Sequence, residues 1–145
     1  MLTVLQRVLE ARVDVAGKTI AAITQGLLIL CGFETKDDVE TLNRMLEKCL
    51  NYRIFSDSQG KLNLSLKDIQ GGLLLVPQFT LVADTKKGLR PSFSSGASPA
   101  RGQALFEQLL QLAKQKYPWI AQGQFGADMQ VILCNDGPVT FILEF

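Results

Sequence analysis

Histidine is absent from all 145 positions. That removes Ser-His-Asp and Cys-His catalysis, the HExxH zinc site and any imidazole general base. Cysteine is scarce too: Cys31, Cys49 and Cys134 stand in apolar contexts with no CxxC spacing, and their odd count argues against a disulfide framework. They read as small buried core residues. Cys134, beside Asn135, is the one retained as a candidate nucleophile, although no histidine is present to activate it. No GxxxxGK[ST] loop and no GxGxxG turn occurs, so nucleoside triphosphate and dinucleotide chemistry have no support. The longest apolar runs are about eight residues, against the roughly 20 that a membrane helix needs. The first twenty residues carry Arg7, Glu10, Arg12 and Asp14, which leaves no room for the apolar core of a signal peptide, and a cytoplasmic location is expected. A net charge of +1 gives no global attraction to polyanions. The chemistry left is that of carboxylates, hydroxyls, backbone amides and groups on the substrate itself, with no metal or organic cofactor expected.

What is present fits one domain, residues 1–145. Leu2 to Val8 reads as a strand, and Arg12–Val15 with Lys18–Ile23 flank Ala16-Gly17 as a hairpin. Gly26 to Phe33 is a continuous apolar run, the pattern of a strand covered on both faces. From Asp37 to about Tyr52 the period becomes helical, with Val39, Leu42, Leu46, Cys49 and Leu50 on one face and Asp37 with Glu40 as a capping pair. Leu62–Leu66 alternates as a half-wet strand after a turn at Asp57–Gly60. Gly71-Gly72 opens a second buried run, Leu73 to Val76. Residues 84–98 form a long Gly/Ser/Pro-rich loop. A second helix begins with Ser98 as N-cap and Pro99 at its first position, and Pro118 ends it. Met129–Leu133 and Val139–Leu143 read as a closing hairpin. The class expected is α+β, a curled or barrel-like β-sheet with two main helices packed outside.

Two polar interruptions mark candidate chemistry. In Pro77-Gln78-Phe79-Thr80, a proline inside strand-like sequence belongs at an edge or bulge. The amides of Gln78, Phe79 and Thr80 would then be free to face a cavity, where each oriented donor stabilises a developing oxyanion by about 3 kcal/mol. The plain alternative is an edge strand with polar residues in water. In Asn135-Asp136-Gly137-Pro138, the Gly-Pro pair holds two carbonyl oxygens in fixed directions; a simple hairpin turn explains the same residues. Arg7 lies among apolar neighbours and needs partners, for which turn carbonyls or a surface carboxylate would serve. From Asp84 to Arg101 the chain holds Lys86, Lys87, Arg90 and Arg101 against a single acid; these cations would touch a phosphate backbone, or the loop is simply solvated, and Phe93 there would stack on a base or anchor the loop to the core.

These segments resemble, along nearly the whole chain, the D-aminoacyl-tRNA deacylase family. The match runs through Gln6-Arg7-Val8, Tyr52 to Asp57, Gln78-Phe79-Thr80-Leu81, Leu89 to Ser94, Gly96 to Pro99, Phe125 to Val131 and Asn135 to Thr140. The resemblance implies a homodimeric barrel-like fold that hydrolyses the ester between a D-amino acid and the 3′ end of tRNA. It implies a cis Gly137-Pro138 pair entering the partner's site near Gln78, Phe79 and Thr80, with Arg7 holding that pair and Phe125 and Met129 lining the pocket near the terminal adenosine. Two rigid carbonyls near Cα would admit hydrogen and clash with an L side chain, so glycyl-tRNA would pass as well. Two routes stay open: Thr80 as nucleophile, or Phe79 and Thr80 amides as an oxyanion hole with the tRNA 2′-hydroxyl assisting. Pro77 stands where the family motif usually has serine; activity is expected to survive, because Gln78, Phe79 and Thr80 are intact. The alternative class is a non-catalytic nucleic-acid-binding homodimer of the same fold.

Overall fold

The computed structural model describes all 145 residues, Met1–Phe145. Strands β1 (Leu2–Val15), β2 (Lys18–Ile23) and β3 (Gly26–Gly32) lead into helix α1 (Val39–Asn51). A small ribbon of β4 (Phe55–Ser56) and β5 (Leu62–Leu64) and a short helix α2 (Leu66–Ile69) follow. Strand β6 (Gly72–Pro77) runs into a 3-10 helix, Phe79–Val82, and the chain ends with α3 (Pro99–Lys116), β7 (Ile120–Gln122) and β8 (Met129–Glu144). The main sheet has the order β2-β1-β3-β6-β7, with β8 also paired to β1. β1 therefore serves three neighbours, β3 through Leu2–Val8, β2 through Ala11–Val15 and β8 along its whole length. A strand shared this way forces the sheet to curl into a nearly closed barrel. The curl is tight where β2 crosses β6: a Cβ on Gly72 would lie 2.7 Å from that of Ile23, so only glycine fits.

Alternation explains why β3 and β6 read as unbroken apolar runs. Leu27, Ile29, Cys31, Leu73 and Leu75 face the helices and join the larger core with α1 and α3, while Leu28, Leu74 and Val76 face the barrel interior with Val8, Ala11 and Val13. Both faces of these strands are covered, so neither face carries polar residues. α1 and α3 are the two main helices, as the periodicity indicates. Ser98 caps α3, accepting from Arg101 N–H at 3.3 Å, with Pro99 in its first turn. No helix is long and apolar enough to cross a membrane.

Five readings of the sequence change. β1 is continuous through Leu9–Ala11, because β8 pairs with it on both sides of that stretch. Asp38, accepting from Thr41 N–H at 2.9 Å, caps α1 in place of Asp37. Asp37 is buried instead, taking the Met1 ammonium at 2.8 Å and Glu34 N–H at 2.7 Å. The Leu62–Leu66 strand stops at Leu64, since Ser65 and Asp68 form a reciprocal capping box that starts α2. Cys134 is exposed on the outward face of β8, whereas Cys31 and Cys49 are buried, and burial pushes the Cys49 thiol up to about 12.

The largest correction concerns the C-terminal segment. Met129–Leu133 and Val139–Leu143 are one strand running in one direction beside β1, from Val15↔Met129 to Leu2↔Glu144. The Gly-Pro pair does not reverse the chain. It bulges out, because the ladder skips from Val8↔Asn135 to Gln6↔Thr140, setting four residues of β8, Asp136 to Val139, against Arg7 alone.

Candidate active site

A cleft of about 670 Å³ opens at the C-terminal end of β6. One wall is Val76, Pro77, Gln78 and Phe79; a second is Gly96 and Ala97 with the first turn of α3, Ser98, Pro99 and Gly102. A third is formed by Phe125 to Met129 and Val131, leading into β8. Phe125 rests on α3, since a Cβ on Gly102 would stand 3.2 Å from its Cζ. Pro77 is the last residue of β6 and a local edge: it pairs with Cys31 on β3, and on its other side β7 has already stopped at the Leu75↔Gln122 pair. No strand requires a donor there, so proline is tolerated. Its ring turns toward Gly123, whose added Cβ would stand 3.4 Å from Pro77 Cδ.

Of the three amides expected to be free, one is not. Gln78 N–H donates to Cys31 O at 2.8 Å, continuing the parallel ladder. Phe79 and Thr80 open the 3-10 helix, and their N–H groups have no acceptor within the protein, as the first residues of a helix must. Thr80 is exposed and does not line the cleft. Its Oγ accepts from Gln78 Nε2, and no carboxylate or amine reaches it. Phe79 is 62% exposed and leans on Phe93, ring centroids 5.1 Å apart at 50°. Phe93 thus packs on the cleft's rim and is not an anchor into the core. Cys31 and Asp128 are the only ionisable side chains lining the cleft; burial pushes the Cys31 thiol far up, so it stays protonated. No group of three or more His, Cys, Asp or Glu side chains converges to hold a metal.

The bulge of β8 stands apart from this cleft in the same chain: neither Gly137, Pro138 nor Arg7 lines it. The Gly137–Pro138 peptide is cis, and both residues are exposed. Arg7, 8% exposed, sits beneath them. Its Nη1 donates to Ile54 O at 2.7 Å and its Nε to Asp136 O at 3.0 Å, with Asp136 Oδ2 3.2 Å from the same nitrogen. The two partner types anticipated for this arginine, a backbone carbonyl and a carboxylate, are both used. Lys86, Lys87 and Arg90 are exposed on the 84–98 loop and lie outside the cleft. That loop is tied down by bridges between Asp84 and Ser92 and between Glu34 and Gly96. Cys134 is not in the cleft either, which removes it as a nucleophile there.

The family model for D-Tyr-tRNA(Tyr) deacylase matches residues 4–144. The chain belongs to this family. Its sequence is 67% identical over 145 residues to the D-aminoacyl-tRNA deacylase of Legionella pneumophila (strain Corby), with both chains fully covered. It is 60% identical over 144 residues to that of Ectopseudomonas mendocina (strain ymp), covering 99% of each. Among solved structures, the c-Myc DNA Unwinding Element Binding Protein superposes with a TM-score of 0.96 at 38% identity, over 100% of this chain and 99% of the other. A probable eukaryotic D-amino acid tRNA deacylase shares the fold, with a TM-score of 0.85 at 16% identity over 98% and 97% of the two chains. The protein is thus an ester hydrolase of the D-aminoacyl-tRNA deacylase class.

Three contributors escaped sequence reasoning. Ile54 supplies a carbonyl to Arg7, Asp136 supplies both a carbonyl and a carboxylate, and Asp128 brings the one carboxylate of the cleft. Asp136 and Asp128 lie within recognisable motifs, but nothing local in the sequence indicates their partners.

Proposed function

We propose that the cleft is where the ester of a D-aminoacyl-tRNA is hydrolysed, with the unpaired amides of Phe79 and Thr80 receiving the charge that develops on the ester's carbonyl oxygen. The observation that carries this reading is the pairing of two free backbone donors, Phe79 on the cleft wall and Thr80 next to it in the chain, with a lining that holds no histidine and only one carboxylate, the exposed Asp128. Donors fixed before reaction stabilise an oxyanion without having to reorganise. The attacking water is then activated by the substrate, through the 2′-hydroxyl of the terminal ribose. Phe125 and Met129 hold the adenosine. A second copy of the chain offers its Gly137-Pro138 carbonyls to Cα of the bound amino acid. Hydrogen fits against them and an L side chain does not; glycyl-tRNA, having no side chain, is hydrolysed too. The exposed bulge that misses its own cleft supports a site completed in trans, and so do the apolar Leu9, Ile132 and Ile142 left in solvent on β1 and β8. Sedimentation should return a dimer.

Single-turnover deacylation of matched D- and L-aminoacyl-tRNA tests the reading, which requires ester loss from the D-form alone. Thr80→Ala is expected to retain its rate within about threefold, because only an exposed hydroxyl hydrogen bond is lost. A loss of about 100-fold or more would instead make Thr80 the nucleophile. A substrate with a 2′-deoxy terminal adenosine should be nearly inert, and full activity on it would remove the RNA from the chemistry. A second reading, nucleic-acid binding without turnover, draws on the name of the 38% identical solved structure and on exposed Lys86, Lys87 and Arg90. Binding of tRNA with no ester loss would select it.

A further inference from the structure

We propose that Asn135 is a positioning residue that sets the direction of the Gly137-Pro138 carbonyls by clamping the far end of the bulge. The inference rests on the proposed gate. Between the ladder pairs at Asn135 and Thr140 the chain has four residues and only Arg7 opposite them. A four-residue excursion with unpaired backbone would be free to sway. Two side chains prevent this. Arg7 takes the near end, binding Asp136 through its carbonyl and its carboxylate. Asn135 takes the far end: its Oδ1 accepts from Val139 N–H at 2.7 Å and its Nδ2 donates to Thr140 Oγ at 2.8 Å.

The same Thr140 Oγ accepts from Gln6 Nε2 at 3.3 Å, which ties the clamp back to β1. Val139 also packs its side chain against the main core. Gly137 and Pro138 are thereby the only residues of the bulge held at neither end, carried between two fixed neighbours. An amide is the side chain that suits position 135, because it must accept from a backbone N–H and donate to a hydroxyl at once. Asn135 touches no part of the cleft. Its effect must therefore reach the substrate through the bulge.

The test measures kcat/KM on D- and L-forms of the same aminoacyl-tRNA, with melting temperature followed in parallel. Asn135→Ala is expected to lower the D-over-L ratio roughly three- to tenfold, the effect of about one hydrogen bond. The change should come chiefly from a gain of L-hydrolysis. A merely structural role would lower both rates together and leave the ratio alone. Asn135→Asp, which keeps the bond to Val139 N–H but cannot donate to Thr140 Oγ, should give an intermediate loss. Thr140→Val keeps the β-branched shape and removes the other bond, so it should give an intermediate loss; its exposed site makes it the deciding variant if Asn135→Ala does not fold. Pro138→Ala separates the two levels. If it collapses the ratio while Asn135→Ala and Thr140→Val leave it intact, the positioning role is wrong and the gate stands. If Pro138→Ala also leaves the ratio intact, the gate falls and the role of Asn135 falls with it.

Discussion

Gly137→Ala is expected to cost about 3 kcal/mol of stability and most of the preference for D-substrates. Two effects add. Gly137 has φ +133°, a region that L side chains rarely enter. The added Cβ would also lie 2.8 Å from Val139 Cγ2 and 3.2 Å from Arg7 Nη2. The first distance is shorter than real contacts allow, and both neighbours are the ones that fix the bulge. Relief must therefore come from moving Val139 or Arg7, and the carbonyls of Gly137 and Pro138 move with them. Gly17 provides the control. It has φ +75° and nothing within 4 Å of where an added methyl would stand, so Gly17→Ala carries only the backbone penalty. For a chain of this size each kcal/mol shifts Tm by about 2–4 °C, so Gly137→Ala should melt roughly 8 °C lower and Gly17→Ala much closer to the parent protein. Equal shifts would show that the crowding at Val139 is relieved without cost. The D-over-L ratio should fall only for Gly137→Ala.

Local chemistry is enough to locate the helices and the doubly covered strands. The stripe Leu42, Leu46, Cys49 and Leu50 and the pair Ser98-Pro99 carry their own signals, and the Leu27–Cys31 and Leu73–Val76 runs are apolar because each strand divides its side chains between two cores. Where sequence and structure part, the deciding partner lies far along the chain. Gly-Pro has the chemistry of a turn; only the fourteen residues of β1, more than a hundred positions away, keep both halves of β8 running in one direction. The Gln78 amide reads as free because its acceptor, Cys31 O, belongs to a parallel neighbour that no local pattern points to. Ser65-x-x-Asp68 is the exception, since that capping pair is visible in the sequence and the alternation of Leu62 to Leu66 masks it. The motifs around Gln78–Thr80 and Asn135–Thr140 are legible in the sequence. What holds them in place is not, because Arg7 reaches Ile54 O and Asp136 across separations of 47 and 129 residues.

Arg7 should separate stability from selectivity. A guanidinium that is 10% exposed and bound to two carbonyls and a carboxylate is costly to remove by itself: losing one partner of a buried charged contact typically takes about 3–5 kcal/mol. Asp136 is 34% exposed, so water can rehydrate its carboxylate, and the expected loss for Arg7→Ala lies near the lower end, about 3 kcal/mol. Arg7→Met refills most of the volume and leaves mainly the Ile54 carbonyl unpaired, at about 1–2 kcal/mol. Arg7→Lys keeps the charge but not the fork, and one ammonium cannot replace Nη1 toward Ile54 and Nε toward Asp136 together. The three variants should therefore melt in the order methionine or lysine above alanine. If Arg7 acts by fixing the bulge, Arg7→Ala and Arg7→Met should both lose D-over-L discrimination, because each releases Asp136 regardless of how well the core is refilled. Discrimination that follows the melting temperature instead, intact in Arg7→Met and lost in Arg7→Ala, would make Arg7 a packing residue and leave the bulge to be held by Asn135 alone.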